Sequence, residues 1–309
     1  KPLIVQVALP ERTVSCQIWK AQVGRIQLLL LDSNILENQA HDQTITDTLY
    51  GGDQEMRIRQ EMILGIGGYR ALEKVGWIPT VCHMNEGHAA FLSVERMRDF
   101  IADKGCDLRT ARQCVVAGNV FTTHTPVPAG FDIFTREILE KYMTKEVNAV
   151  GLNMHQFLRY GRFNPDNEAE NFNMAVLAME NANYVNGVSK LHAKVSREMF
   201  ESRWSQYPLY EVPIDSVTNG IHTSSFISAR MAGLLDKHYG PDWIEDPSSH
   251  EVWETVYRIP DRELWEMREN QRGDFVRFCR RHVSRKAGAG RGSNLPGARD
   301  ILDPRILTI

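Results

Sequence analysis

Two short apolar runs constrain this chain most, because each stops abruptly in a cluster of polar side chains. The first reads Val81-Cys82-His83-Met84-Asn85-Glu86-Gly87-His88, the second Asn119-Val120-Phe121-Thr122-Thr123-His124-Thr125-Pro126. Helical patterns precede the first run, over 53–76, and separate the two, over 88–104. That alternation marks βαβ units, which build a parallel sheet and bind ligands at the carboxyl ends of its strands. A third exit follows at Tyr184-Val185-Asn186-Gly187-Val188 and a fourth at Ile214-Asp215-Ser216-Val217-Thr218-Asn219-Gly220. The reading is an α/β domain with Asn85, His124, Asn186 and Asn219 along one rim.

The remaining segments fit around that sheet. Residues 3–9, 14–20 and 26–32 run or alternate apolar between tight connections, which predicts a three-stranded meander. Asp53 is placed to cap a helix with Glu55 in its first turn, and Ile58, Met62, Ile66, Tyr69 and Leu72 give it one apolar stripe. Gly65, Gly67 and Gly68 interrupt that stripe; with no strand directly before them, close packing explains them better than a phosphate cradle. Phe91, Val94, Met97 and Ile101 mark a second helical face that Gly105 ends. After Thr125, the Pro126–Gly130 stretch predicts a stiff loop that holds His124. Helices are predicted from 225 to 283, then a Gly, Ala and Arg-rich linker over 284–299. The domain reading is therefore 1–283, a linker at 284–299, and at 300–309 the first strand of another domain. Both ends read as cut, with Lys1 in first place and an apolar pattern only starting at Ile306.

A net charge of -3 offers no basic field for nucleic acid. The five cysteines form neither a zinc pattern nor a disulfide framework, which reads as reduced thiols in the cytoplasm. The apolar runs, Leu28 to Leu31 among them, are too short for a bilayer, so no membrane association is expected.

His83, Glu86 and His88 raise the question of a metal, but the two histidines stand five apart with Gly87 between them, whereas a zincin helix sets them four apart. His83 reads instead as a satisfied core histidine, and no metal is expected. No Gly-x-Ser-x-Gly elbow or catalytic cysteine setting occurs. What the exits offer is amides, hydroxyls and imidazoles with one carboxylate, Glu86. Sugar hydroxyls need that inventory, since each wants a donor and an acceptor at fixed angles. Asn186 and Asn219 each precede glycine and could equally be turn residues.

Met84-Asn85-Glu86-Gly87-His88-Ala89-Ala90-Phe91, Phe121-Thr122-Thr123-His124-Thr125-Pro126-Val127, Tyr184-Val185-Asn186-Gly187-Val188-Ser189-Lys190-Leu191-His192 and Thr218-Asn219-Gly220-Ile221-His222 closely resemble successive motifs of the α-glucan (glycogen, starch or maltodextrin) phosphorylases, in their bacterial and archaeal branch. Leu49-Tyr50-Gly51-Gly52-Asp53 through Arg57-Ile58-Arg59-Gln60-Glu61, and Leu64-Gly65-Ile66-Gly67-Gly68, add to the resemblance. It implies one Rossmann-like domain of a two-domain, GT-B type glycosyltransferase, truncated at both ends. The implied reaction is retaining: inorganic phosphate cleaves the terminal α-1,4 bond of a glucan and gives glucose 1-phosphate. By the same resemblance His124 is the catalytic contact, with its backbone carbonyl near the anomeric carbon. Asn219 binds the glucosyl unit near its 6-hydroxyl, Val185 lines the pocket, and Glu86, Thr125 and His88 form the rim.

The family works with pyridoxal phosphate, whose lysine lies in a carboxy-terminal domain with no counterpart here. The resemblance thus predicts no cofactor-binding residue in this chain, no cofactor bound by it alone, and no Schiff base at Lys190 or Lys194, which read as exposed. A homodimer is possible for the complete enzyme. The competing readings are a non-catalytic carbohydrate-binding domain and a metal-dependent hydrolase built on His83, Glu86 and His88.

Overall fold

The opening meander follows from strict alternation: Val5, Val7 and Leu9 turn inward, and Arg12–Val23 folds back along them. The computed structural model describes residues 2–49, 51–289 and 302–304. In it β1 (Ile4–Leu9), β2 (Arg12–Val23) and β3 (Ile26–Asp32) form an antiparallel sheet in that order. Tyr50, of the Leu49–Asp53 motif, lies outside the described residues.

The helical stripe predicted after Asp53 forms α1 (Gln54–Met62), a π turn (Ile63–Gly67) and α2 (Gly68–Lys74). Asp53 caps it, its Oδ1 accepting from Met56 N at 2.9 Å. Gly65 and Gly67 serve packing, whereas a Cβ on Gly68 would meet nothing within 4 Å. A Cβ on Gly65 would lie 2.8 Å from Leu92 N, and one on Gly67 3.1 Å from Val7 Cγ2 in the meander.

The parallel sheet consists of β4 (Cys82–Asn85), β5 (Asn119–Thr123), β8 (Tyr184–Gly187) and β9 (Asp215–Ser216), in that order. Between β4 and β5 run α3 (Leu92–Lys104) and α4 (Leu108–Ala117), the first stopped by Gly105 at φ 61°. Between β5 and β8 come the small antiparallel pair β6 (Ile133–Phe134) and β7 (Phe172–Asn173), with α5 (Arg136–Ala149) and α6 (Met174–Glu180). After β8 comes α7 (Lys190–Phe200). Register aligns Met84, Phe121 and Val185 across three strands, and all three are buried. The next position aligns Asn85, Thr122, Asn186 and Asp215, where the strands begin to end.

The expected boundary at 284 is not where the chain divides. Its compact units are Lys1–Asn219 and Gly220–Ile309. The second has its own core of Leu234, Leu235, Trp243, Ile259 and Met267. Its long helix Asp261–Ala289 carries through the first six positions of the expected linker, where Lys, Arg and Ala favour helix as readily as coil. The rest of that linker, 290–299, and the strand expected from Ile306 lie outside the described residues.

Candidate functional site at the strand exits

At the end of β4 the backbone takes an unusual turn that aims a carboxylate along the sheet edge. Glu86 has φ 64° and ψ 177°, a region that essentially only glycine visits without strain. The turn is held because Glu86 N donates to Thr122 O at 2.9 Å. Buried at 8% exposure, Glu86 Oε1 then accepts from the backbone N–H of His124, from Thr125 Oγ1 at 3.0 Å and from Thr123 Oγ1 at 3.4 Å. The β4 exit therefore clamps the β5 exit. The sequence points to the proline loop as the holder of His124 and to Glu86 as a rim residue; Glu86 Oε1 also holds His124.

The β5 exit is tied in turn to the β8 exit. His192, in the first turn of α7, lies 3.1 Å from Thr125 O through Nε2, and its Nδ1 accepts from Val188 N at 3.1 Å. Val217 N donates to Gly187 O at 3.0 Å and Asn219 N to Val188 O at 3.2 Å, so β9 runs on beside the β8 exit after its short ladder. All four exits are thus linked in sheet order. His124 and Asn219 stand on this edge exposed, and among the described residues neither side chain makes a hydrogen bond within the chain.

A polar ladder crosses the same edge. Thr122 Oγ1 donates to Asn186 Oδ1 at 2.8 Å and contacts His83 Nε2 at 2.7 Å, while Asn186 Nδ2 donates to Gly187 O at 3.2 Å. His83 is satisfied, as expected, but it is exposed and not a core residue, since odd positions of β4 face outward. Asn85 is exposed at the strand end. Val185, at 7% exposure, packs in the core directly beneath the rim.

His88 belongs to a buried ion cluster. Its Nδ1 lies 2.9 Å from Asp132 Oδ2 and 3.9 Å from Glu61 Oε1, and Arg57 Nη2 reaches the same Asp132 oxygen at 2.6 Å. Burial works against a charged imidazole, but the hydrogen bonds and charges of Asp132 and Glu61 prevail and push His88 up to about 9. Burial raises the Glu61 carboxyl to about 8, and its Oε2 has no hydrogen-bond partner. Asp132, despite burial, is held well below the usual carboxylate range by His88 and Arg57.

Ligand atoms of Glu61, His88 and Asp132 fall within 4.8 Å of one another, but the Arg57 guanidinium already supplies the cation between them. His83, Glu86 and His88 point to three different sets of partners, which removes the basis of the hydrolase reading. A cavity of about 1110 Å³ runs from the meander along this cluster to His83, Asn85 and Glu86, and so meets the rim at the β4 exit. The meeting of Arg57 and Glu61 with Asp132 is not visible in the sequence, because 132 lies far along the chain from 57 and 61. His192 did sit in a recognised motif, four positions past Val188, and its spacing was the available signal.

The profile of the carbohydrate phosphorylases matches residues 12–283. The chain belongs to that family. A maltodextrin phosphorylase of Thermococcus litoralis is 38% identical over 286 residues, covering 93% of this chain and 34% of that protein. A glycogen phosphorylase of Mycobacterium tuberculosis is 39% identical over 323 residues, covering 100% of this chain and 37% of its own length. One from Aquifex aeolicus is 32% identical over 249 residues, with 81% and 35% covered. The chain spans about a third of the length of the curated relatives it matches. In this phosphorylase-family chain the linked exits all lie within the matched residues. No helix among the described residues is long and apolar enough to cross a membrane.

Proposed function

We propose that this chain supplies the glucan-facing, Rossmann-like half of a GT-B type α-1,4-glucan phosphorylase, acting in the cytoplasm in a polypeptide of its relatives' length. The observation that carries the reading is the division along the rim: Glu86 Oε1 is engaged by the His124 N–H and the hydroxyls of Thr123 and Thr125, and His192 by the backbone of Val188 and Thr125, while His124 and Asn219 present unengaged polar groups to solvent. A sugar bound there finds donors and acceptors already oriented, which is the condition for selective stabilisation of a transition state.

In the proposed reaction a phosphate oxygen attacks the anomeric carbon as the bond to the glucan O4 breaks. O4 leaves with a proton drawn from the phosphate, and glucose 1-phosphate and a shortened glucan result. Charge develops on the ring as an oxocarbenium-like state. The main-chain oxygen of His124 is the group we assign to face it, with Asn219 holding the hydroxyl edge of the same glucosyl unit and Thr125 beside them.

Pyridoxal phosphate, which we assign to the complete enzyme, does not fit this chain as a covalently held group. Every lysine whose side chain is described is exposed, Lys190 and Lys194 included, so none is buried beside the rim.

Glucose 1-phosphate release from a maltooligosaccharide and phosphate by the whole enzyme tests the reading. Glucan binding without phosphorolysis would replace it with the carbohydrate-binding module. The 309-residue chain alone should neither retain pyridoxal phosphate fluorescence nor turn over; turnover by it would show that the catalytic groups were misplaced.

A further inference from the structure

One buried imidazole touches both main-chain segments that carry the exposed groups of the rim. His192 is 9% exposed. Its Nδ1 accepts from Val188 N, so the ring hydrogen must sit on Nε2, where it is donated to Thr125 O; both contacts measure 3.1 Å. One neutral tautomer satisfies both. Thr125 directly follows His124, and the Val188 carbonyl accepts from Asn219 N at 3.2 Å. The ring therefore stands between the backbone of His124 and the backbone that seats Asn219.

Its placement is built into the fold. A Cβ on Gly187 would lie 2.9 Å from His192 Nδ1 and 2.9 Å from Ala193 N, so only glycine lets α7 come this close. Ser189 caps that helix, its Oγ accepting from His192 N at 3.1 Å. Glu86 holds the opposite side of the same 123–125 turn. A residue needed only to start α7 would use the Val188 arm alone; the Thr125 arm crosses between strand exits and contributes nothing to the helix.

We propose that His192 is a positioning residue of the glucosyl site, fixing the main chain of His124–Thr125 relative to Asn219 through its Nε2–H, without touching substrate. This rests on the phosphorylase reading of the rim. Misplacement of a reacting group by a fraction of an ångström is costly in rate even when the fold survives.

The two arms can be cut separately. A glutamine amide reaches the place of Nε2–H, an asparagine carbonyl the place of Nδ1, and phenylalanine fills the ring volume with neither. In the whole enzyme, His192→Asn and His192→Phe should lower kcat about 10- to 100-fold with KM for glucan changed less than about threefold. His192→Gln should recover most of the loss. An asparagine variant as active as the glutamine one, or kcat values that simply follow thermal stability across the three, would overturn the proposal.

A second readout separates this inference from the activity. Ring nitrogen NMR of the chain should show hydrogen on Nε2 and none on Nδ1, and amide exchange at His124 and Asn219 should quicken in His192→Asn but not in His192→Gln. A protonated Nδ1, or exchange unaltered in the asparagine variant, contradicts it whether or not the enzyme phosphorolyses glucan. An inactive wild type with these NMR results would instead sink the phosphorylase reading and leave the bridge standing.

Discussion

The β4 exit and the β9 exit sit at opposite ends of one strand order, yet they treat their polar residues in opposite ways. At β4, Glu86 and His88 are turned into the protein, one clamping the next turn and the other joining Arg57 and Asp132. At β9, Asn219 is held by its backbone and its side chain is left exposed. His124 follows the β9 pattern, with its N–H held by Glu86 and its ring outside. Residues of one motif set thus divide into those that hold and those that present, and the two kinds should fail differently when changed.

The largest effect on stability is expected at the clamp. Glu86→Ala leaves the His124 N–H and two threonine hydroxyls without their acceptor, at about 1–3 kcal/mol for each buried group left unpaired, so a total of about 3 kcal/mol is a fair expectation. Urea unfolding of the chain measures it. A loss below about 0.5 kcal/mol would move Glu86 to the presenting class.

The ion cluster gives the next effect, and its sign is set by the shifts. His88 is held up at about 9 against an unfolded 6.5, so its contribution is complete below pH 6.5 and disappears as pH rises through 9. Glu61, raised by burial from 4.5 to about 8, adds a loss that begins near pH 4.5 and is complete near 8. Stability should therefore fall by on the order of 2 kcal/mol between pH 6.5 and 9. His88→Gln should flatten that fall. A profile that rises over this range would show the cluster to be charged differently.

Beneath the rim, Val185→Ala should cost about 2 kcal/mol or less, through lost burial and a small cavity. If that packing is its whole role, kinetics per folded molecule should change little. A large rise in KM at unchanged stability would return it to the pocket wall.

These contrasts also mark what the sequence could carry. The sheet, its parallel sense and the order of its exits were legible, because apolar runs ending in polar clusters are local signals. So was the packing role of Gly65, since no strand precedes it. Direction of side chains was not legible. Nothing in Asn85-Glu86-Gly87-His88 announces that Glu86 adopts φ 64° and bends back to His124, or that His88 meets a residue 44 positions away. The Asp261–Ala289 helix was misjudged near its end because Arg, Lys and Ala serve helices and linkers alike.

The smallest stability effect is predicted for the presenters. His124→Ala should change the unfolding free energy by no more than about 0.5 kcal/mol while lowering kcat/KM about 5- to 150-fold through the lost ring contact, its main-chain oxygen being retained. Equal losses of stability and activity would place its ring among the holders.

Asn219→Ala in the whole enzyme tests the central claim most directly. With its hydroxyl partner removed from a desolvated cleft, kcat/KM should fall by about 5- to 150-fold, the equivalent of roughly 1–3 kcal/mol. Thermal stability should be unchanged, and most of the preference for glucose 1-phosphate over its 6-deoxy analogue should vanish. A variant that keeps the wild-type preference, or loses stability with its per-molecule kinetics intact, would contradict the assignment of Asn219 as a residue that reads the sugar.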